Sequence, residues 1–308
     1  MPDDTGYVDL QVNGYGGVDF SDDALGPADL HAACERLEAD GAAHILATIT
    51  TDRFEAMAGR LARLAAFRER DDLARRIISG IHIEGPFISP DKGYRGAHPA
   101  EHIRPPDPDA MQRLLEAAGG LARLVTLAPE HDEGFRVTRL LAERGIVASA
   151  GHCNPSIETL RAASDAGLSM FTHLSNGCAA LVPRHDNIIE RALSLRDRLW
   201  VCFIADGEHV PFFTLGNWLR AAGLDRACVV TDALAPAGFG PGTYRHKRFE
   251  IRVGEGDAAR LPDGSLVGGA ISMHDAARNL VEHVGLAPAD ARRLTITNPR
   301  KAIGLEAG

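Results

Sequence analysis

The chain has 308 residues, 45% of them hydrophobic and 24% charged, with a formal net charge of -9. That length accommodates one large α/β barrel of ~250 residues, and the acidic balance removes the electrostatic case for nucleic acid or an anionic membrane surface as a partner. Five scattered cysteines (Cys34, Cys153, Cys178, Cys202 and Cys228) form no Cys-x-x-Cys pair, which predicts buried free thiols in a reducing compartment and neither a disulfide framework nor a structural zinc site.

Met1-Pro-Asp-Asp-Thr-Gly6 is acidic and runs directly into an apolar segment, unlike a signal peptide. Later apolar runs are too short and too interrupted by charge to cross a bilayer, so a cytoplasmic protein with no membrane contact is expected. Eight strands are predicted: Tyr7–Val12, His44–Thr50, Ile77–Glu84, Leu124–Ala128, Ile146–Ala150, Met170–Leu174, Trp200–Asp206 and Ala227–Asp232. Helical patterns separate them at Ala28–Ala39, Phe54–Arg68, Ala110–Ala118, Phe135–Arg144, Ile157–Ala166, Asn187–Leu195 and Phe212–Ala222. Asp107 and Ser156 stand where N-caps belong, and Gly41, Gly119, Gly145 and Gly167 where helices end.

The strand runs show no polar alternation, as expected of parallel strands covered on both faces. Eight βα units predict an α/β fold, a closed (β/α)8 TIM-type barrel forming one domain over residues 1–308. An open doubly wound sheet is the alternative, but no Gly-x-Gly-x-x-Gly follows a strand. Ser89–Pro108 reads as a long functional loop. After the eighth strand, Arg248–Val253 and Ala259–Val267 flank Gly254-Glu-Gly256 as a β-hairpin insertion, followed by a helix at Ala270–His283 and a helical tail at Pro288–Ile303.

Four strands end in side chains with chemistry: Glu84, His152, His173 and Asp232. A carboxylate closing an apolar strand is costly to bury unless it is paired or bound to a metal, so Glu84 alone fits a salt bridge as well as a ligand role. Together with His152 and His173 it predicts one metal centre at the barrel mouth, with a position left open for water or substrate. Asp232 precedes an irregular loop, so a proton-carrying role is preferred to an N-cap; Asp206 is the weaker rival. His82, close to Glu84 on the same strand, is expected to face the opposite way as a hydrogen-bonded core histidine.

Taken in order, Asp9-Leu-Gln-Val-Asn-Gly14, Ile81-His-Ile-Glu-Gly-Pro86, Leu127-Ala-Pro-Glu130, Ala150-Gly-His152, Thr172-His-Leu-Ser-Asn176, Ile204-Ala-Asp-Gly-Glu-His209 and Val230-Thr-Asp-Ala233 resemble the N-acetylglucosamine-6-phosphate deacetylase family of the amidohydrolase superfamily. The resemblance implies hydrolysis of the N-acetyl amide of a small amino sugar, with acetate released. It implies metal ligation by Glu84, His152 and His173, acid/base work by Asp232 and carbonyl contact by His98. Asn176, Gly177, His209 and Arg184 would grip the substrate, Arg184 by taking the phosphate across a homodimer.

Gln11-Val-Asn13 replaces the His-x-His with which many amidohydrolases end the first strand. Because neutral amides are poor zinc ligands, a single divalent ion, zinc, is expected. The family's small β-sandwich is expected to be missing, and Pro183-Arg-His-Asp186 departs from the family's Arg-x-Pro-Gly. The substrate could then be an unphosphorylated amide, or the barrel could bind a sugar phosphate without turning it over.

Overall fold

Tyr7–Val12 (β1), Ala42–Thr50 (β2), Ile78–Glu84 (β3), Ala122–Leu127 (β4), Val147–Ala150 (β5), Leu168–Phe171 (β6), Trp200–Ile204 (β7) and Ala227–Val230 (β8) pair in parallel, each with its successor. The computed structural model describes residues 5–246, 249–254 and 258–305. Between the strands lie Pro27–Ala39 (α1), Phe54–Glu69 (α2), Asp72–Ile77 (α3), Pro108–Ala117 (α4), Arg136–Glu143 (α5), Ile157–Asp165 (α6), Ile188–Leu193 (α7) and Phe212–Ala222 (α8). The predicted (β/α)8 barrel is therefore the observed fold. The Asp107 carboxylate accepts from Ala110 N and the Ser156 hydroxyl from Thr159 N, so both caps form as predicted. The short α3 was not predicted; Asp71 caps it and it runs straight into β3.

No regular ladder joins β8 to β1. A side chain closes the seam instead, with Asp9 Oδ1 accepting from Thr231 N at 3.2 Å and Oδ2 accepting from the Thr231 hydroxyl. Two residues further along β8's extension, Asn13 N donates to the Ala233 carbonyl at 2.7 Å. Between Asp9 and Val12, three steps along β1 match two along β2, a bulge that redirects the side chains at the strand's end.

The barrel interior is layered. At its floor Val8, Leu46, Leu124, Met170, Cys202 and Cys228 pack together, with Ala302 and Ile303 beneath. Above them runs a hydroxyl chain: His82 Nε2 to Thr126 Oγ1 at 2.8 Å, Thr126 to Thr172 at 2.7 Å and Thr172 to Ser149 at 2.6 Å. The expected facing of His82 was wrong. Residues two apart on a strand share a face, so His82 lies inside the barrel on the same face as Glu84. Its role as a hydrogen-bonded core histidine stands, and burial lowers its pKa to about 4, which keeps it neutral.

Beyond β8 the structure has a four-stranded antiparallel sheet where a hairpin was expected: Gly242–His246 (β9), Phe249–Val253 (β10), Ala259–Arg260 (β11) and Leu266–Gly268 (β12). Arg248 and the Glu255-Gly256 turn of the predicted hairpin lie outside the described residues. The Ser272 hydroxyl caps the helix Met273–Glu282 (α9) by accepting from Asp275 N. The tail is helical over Pro288–Arg292 and Asn298–Ala302, with a π turn between. All five cysteines are free, and four are buried. Among the described residues no helix is long and apolar enough to cross a membrane.

Candidate active site and metal centre

The strands deliver their functional side chains through sharp bends. His152, His173 and Asp232 have φ of 51°, 26° and 50°, three of only five positive-φ non-glycine residues in the described chain, and Gly85 directly after Glu84 has φ 84°. Left-handed backbone at such residues costs about 1–3 kcal/mol each and persists only where surrounding contacts enforce it. Each bend ends its strand at the mouth and tips the side chain over the barrel axis.

Glu84 Oε1 lies 3.2 Å from His152 Nε2 and 3.0 Å from His173 Nε2, all three side chains buried. His152 Nδ1 donates to the Tyr94 carbonyl at 2.9 Å. That bond fixes the tautomer and leaves a bare Nε2 lone pair opposite a carboxylate oxygen. Two acceptors facing each other at this distance require a proton or a cation between them. Burial opposes ionisation of Glu84, but the hydrogen bonds to His152 and His173 and the imidazole charges hold its carboxyl well below the usual range. Burial alone would make His173 less basic; the Glu84 hydrogen bond and charge raise it above its ordinary value. A deprotonated carboxylate flanked by imidazoles is the donor set of a divalent-metal site.

His98 joins the same cluster from the Ser89–Pro108 loop. One ligand atom each from Glu84, His98 and His152 lie within 4.8 Å of one another, and the His98 ring centroid is 4.5 Å from that of His152. Its Nδ1 is bonded to Thr51 Oγ1 at 2.7 Å. Glu84 Oε1 is thus shared by His152 and His173, while the ligand atoms that lie mutually within reach of one ion are those of Glu84, His98 and His152, without His173.

Asp232 stands across the mouth. Its Oδ1 accepts from Gln11 Nε2 at 3.0 Å and Asn13 Nδ2 at 2.7 Å. Burial and the nearby Glu84 charge push its carboxyl up to about 6, against the pull of His173, His209 and Asn13. Asp206, its rival from sequence, is committed elsewhere. Oδ2 bonds His209 Nδ1 at 2.6 Å while Oδ1 accepts from the backbone of Glu208 and His209. Burial would raise the Asp206 carboxyl, but His209 holds it below its ordinary range. That is the structural hydrogen-bonding role, and it aims His209 at the cavity.

These groups line one cavity of about 640 Å³ with Asn176, Gly177 and His209 on its wall, a size suited to a small polar ligand. Gly177 has φ 104°, and a Cβ there would come within 2.6 Å of His152 Nδ1, so the wall abuts a candidate ligand directly. The same cavity is also lined by Asp22, Asp23, Asp52 and Arg60, with the buried Arg60 bonded to Asp23 at 2.8 Å and Asp52 at 2.7 Å. Arg184 is exposed and does not line the cavity of the single chain. Sequence reasoning treated Gln11 and Asn13 only as replacements for metal ligands and missed their bonds to Asp232; their amide chemistry was the available signal.

A (β/α)8 barrel with a carboxylate and three imidazoles converging at its C-terminal mouth, and a separate carboxylate facing them, is the architecture of a metal-dependent amidohydrolase. No family model matches the chain. It is 32% identical over 302 residues to the N-acetylglucosamine-6-phosphate deacetylase of Bacillus subtilis, covering 97% of this chain and 75% of that one. To the N-acetylgalactosamine-6-phosphate deacetylase of Escherichia coli O157:H7 it is 30% identical, covering 97% and 78%. A mutant N-acetyl-D-glucosamine-6-phosphate deacetylase from Mycobacterium smegmatis, solved with N-acetyl-D-glucosamine-6-phosphate, superposes with a TM-score of 0.87 at 32% identity, covering 97% of this chain and 77% of that one. The Thermotoga maritima deacetylase gives 0.84 at 28% identity, covering 98% and 78%. The chain belongs to the N-acetylglucosamine-6-phosphate deacetylase family.

Proposed function

We propose that this protein hydrolyses the acetamide of an N-acetylated amino-sugar 6-phosphate, with N-acetylglucosamine 6-phosphate as the first substrate to test. The observation that carries the reading is the convergence of His152 and His173 on one buried Glu84 oxygen, with Asp232 facing them across a single cavity. Zinc is the expected ion, held by Glu84, His152 and His173. When bound, it supplies Lewis-acid polarisation of the scissile carbonyl and acidifies the attacking water.

Asp232 takes the proton of that water and passes it to the leaving amine nitrogen; a carboxyl near 6 suits both directions of transfer close to neutral pH. His98, fixed through Nδ1 by Thr51, presents Nε2 to the carbonyl oxygen as negative charge develops there. His209, oriented by Asp206, and the Asn176-Gly177 turn hold the sugar. Asp22, Asp23 and Asp52 also line the cavity and would repel a phosphate, so the phosphate is expected away from them. In a cytoplasmic homodimer, Arg184 of the partner subunit completes the phosphate grip.

The test is acetate release by the zinc-loaded protein over N-acetylated glucosamine and galactosamine, each with and without 6-phosphate. Turnover of a phosphorylated sugar is expected, and Asp232→Asn should lower it by roughly 10²-fold or more with metal content unchanged. No acetate from any sugar would reject the reading, and full activity in Asp232→Asn would reject the proton carrier.

A further inference from the structure

The end of β1 converges on Asp232. Two buried side-chain amides, Gln11 Nε2 at 3.0 Å and Asn13 Nδ2 at 2.7 Å, converge on the same oxygen, Oδ1. Gln11 is 1% exposed and Asn13 4%. The backbone is clamped on both sides: Thr231 through the Asp9 carboxylate, and Ala233 through a carbonyl that accepts from Asn13 N and Gly14 N. Among the described residues nothing bonds Oδ2.

A carboxyl group rotates easily about its terminal torsion, and either oxygen can carry a proton. Two donors on one oxygen remove that freedom. They saturate Oδ1, orient the carboxylate plane, and leave Oδ2 as the oxygen available to the cavity. Both donors are uncharged, so they favour the ionised carboxylate without placing a cation beside the metal centre. Gln11 and Asn13 stand two apart at the end of β1, so both amides fall on one face and reach the same oxygen.

We infer that Gln11 and Asn13 are positioning residues for the hydrolysis, acting through Asp232 by holding it with Oδ2 as its single proton-exchanging oxygen. This rests on the reading of Asp232 as the proton carrier. The amides also lie on the β1–β8 seam, so a purely structural role is the rival, and the two make different kinetic predictions.

The experiment is a kinetic double-mutant cycle with N-acetylglucosamine 6-phosphate and zinc-loaded protein. Gln11→Met and Asn13→Ala are made alone and in an Asp232→Asn background, with metal content and thermal unfolding of each variant measured in parallel. Each single change removes a hydrogen bond to a charged group, and kcat should fall roughly tenfold or more with KM within about twofold and zinc content unchanged. In the Asp232→Asn background the same changes should cost little further, because the group they act through is gone. Equal fractional losses in both backgrounds, or losses tracking zinc content or unfolding temperature, would assign the amides to the fold and overturn the inference. Unchanged kcat in both single variants, with Asp232→Asn impaired, would overturn it while leaving Asp232 as the proton carrier. Full activity in Asp232→Asn would show instead that the underlying reading had failed. Gln11→Met preserves length and volume, so the cycle stands on that side even if Asn13→Ala does not fold.

Discussion

Asp9→Asn should make the protein more stable at alkaline pH and nearly unchanged in acid. Asp9 is 3% exposed, and burial raises its carboxyl from the ordinary 3.8 to about 7, despite the opposing bonds from Thr231 and Gln11. Since the folded-state value lies above the unfolded one, the fold favours the protonated form. That stability is complete below about pH 4 and is lost progressively as pH rises to about 7. At about 1.36 kcal/mol per pH unit, the full excursion is worth about 4 kcal/mol. Asparagine imitates the protonated state: its carbonyl oxygen can still accept from Gln11 N and Thr231 N, and its amide can donate to the Thr231 hydroxyl. Urea unfolding of parent and variant at pH 5, 6, 7 and 8 measures the effect directly. The difference in unfolding free energy should grow in favour of the variant by about 2–3 kcal/mol between pH 5 and pH 8. A difference independent of pH would mean that Asp9 is ionised throughout and that the seam is held by an ion, refuting the reasoning.

Gly177→Ala adds a Cβ at 2.6 Å from His152 Nδ1 on a backbone with φ 104°, so His152 should lose its bond to Tyr94 and zinc content should fall, measured by elemental analysis. Full zinc retention with normal turnover would mean that this wall yields. Asp206→Asn removes the charged partner of His209 Nδ1; KM should rise several-fold with kcat nearly preserved, and a selective loss of kcat would move Asp206 into the chemistry. Arg184→Ala should weaken use of a 6-phosphorylated sugar by roughly ten- to a hundredfold, as expected for a charge-assisted bidentate contact, and barely affect an unphosphorylated one. Equal losses on both substrates would remove Arg184 from phosphate binding.

The barrel was legible because its strands are covered on both faces. Ile81–Glu84, Val147–Ala150 and Ala227–Val230 show no solvent face, and turns and caps punctuate them at βα spacing. Elements with little burial were not. β9 carries exposed residues and no apolar run, and the Pro262-Asp-Gly264 turn divides a segment that hydropathy alone presents as one strand. The six-residue α3 was missed: only its last residue, Ile77, was assigned, to the strand that follows, and residues 72–76 were left between elements. The misplaced face of His82 came from miscounting an alternation that the sequence states plainly.

Within the site, strand ends were readable and relationships across the barrel were not. Glu84, His152 and His173 could be named because each closes an apolar run, but their convergence on one oxygen depends on left-handed bends that no propensity encodes. His98 sits in a long loop whose path comes from contacts such as the one with Thr51, 47 positions away. Gln11 and Asp232 are 221 positions apart and meet only because the first and last strands close the barrel. Read along the chain, two amides at the end of β1 are merely poor metal ligands. Once the seam is closed, the same neutrality becomes useful. A histidine there would compete for the ion and an arginine would hold Asp232 ionised too firmly to return its proton, whereas an amide can orient the carboxylate and leave its proton exchangeable.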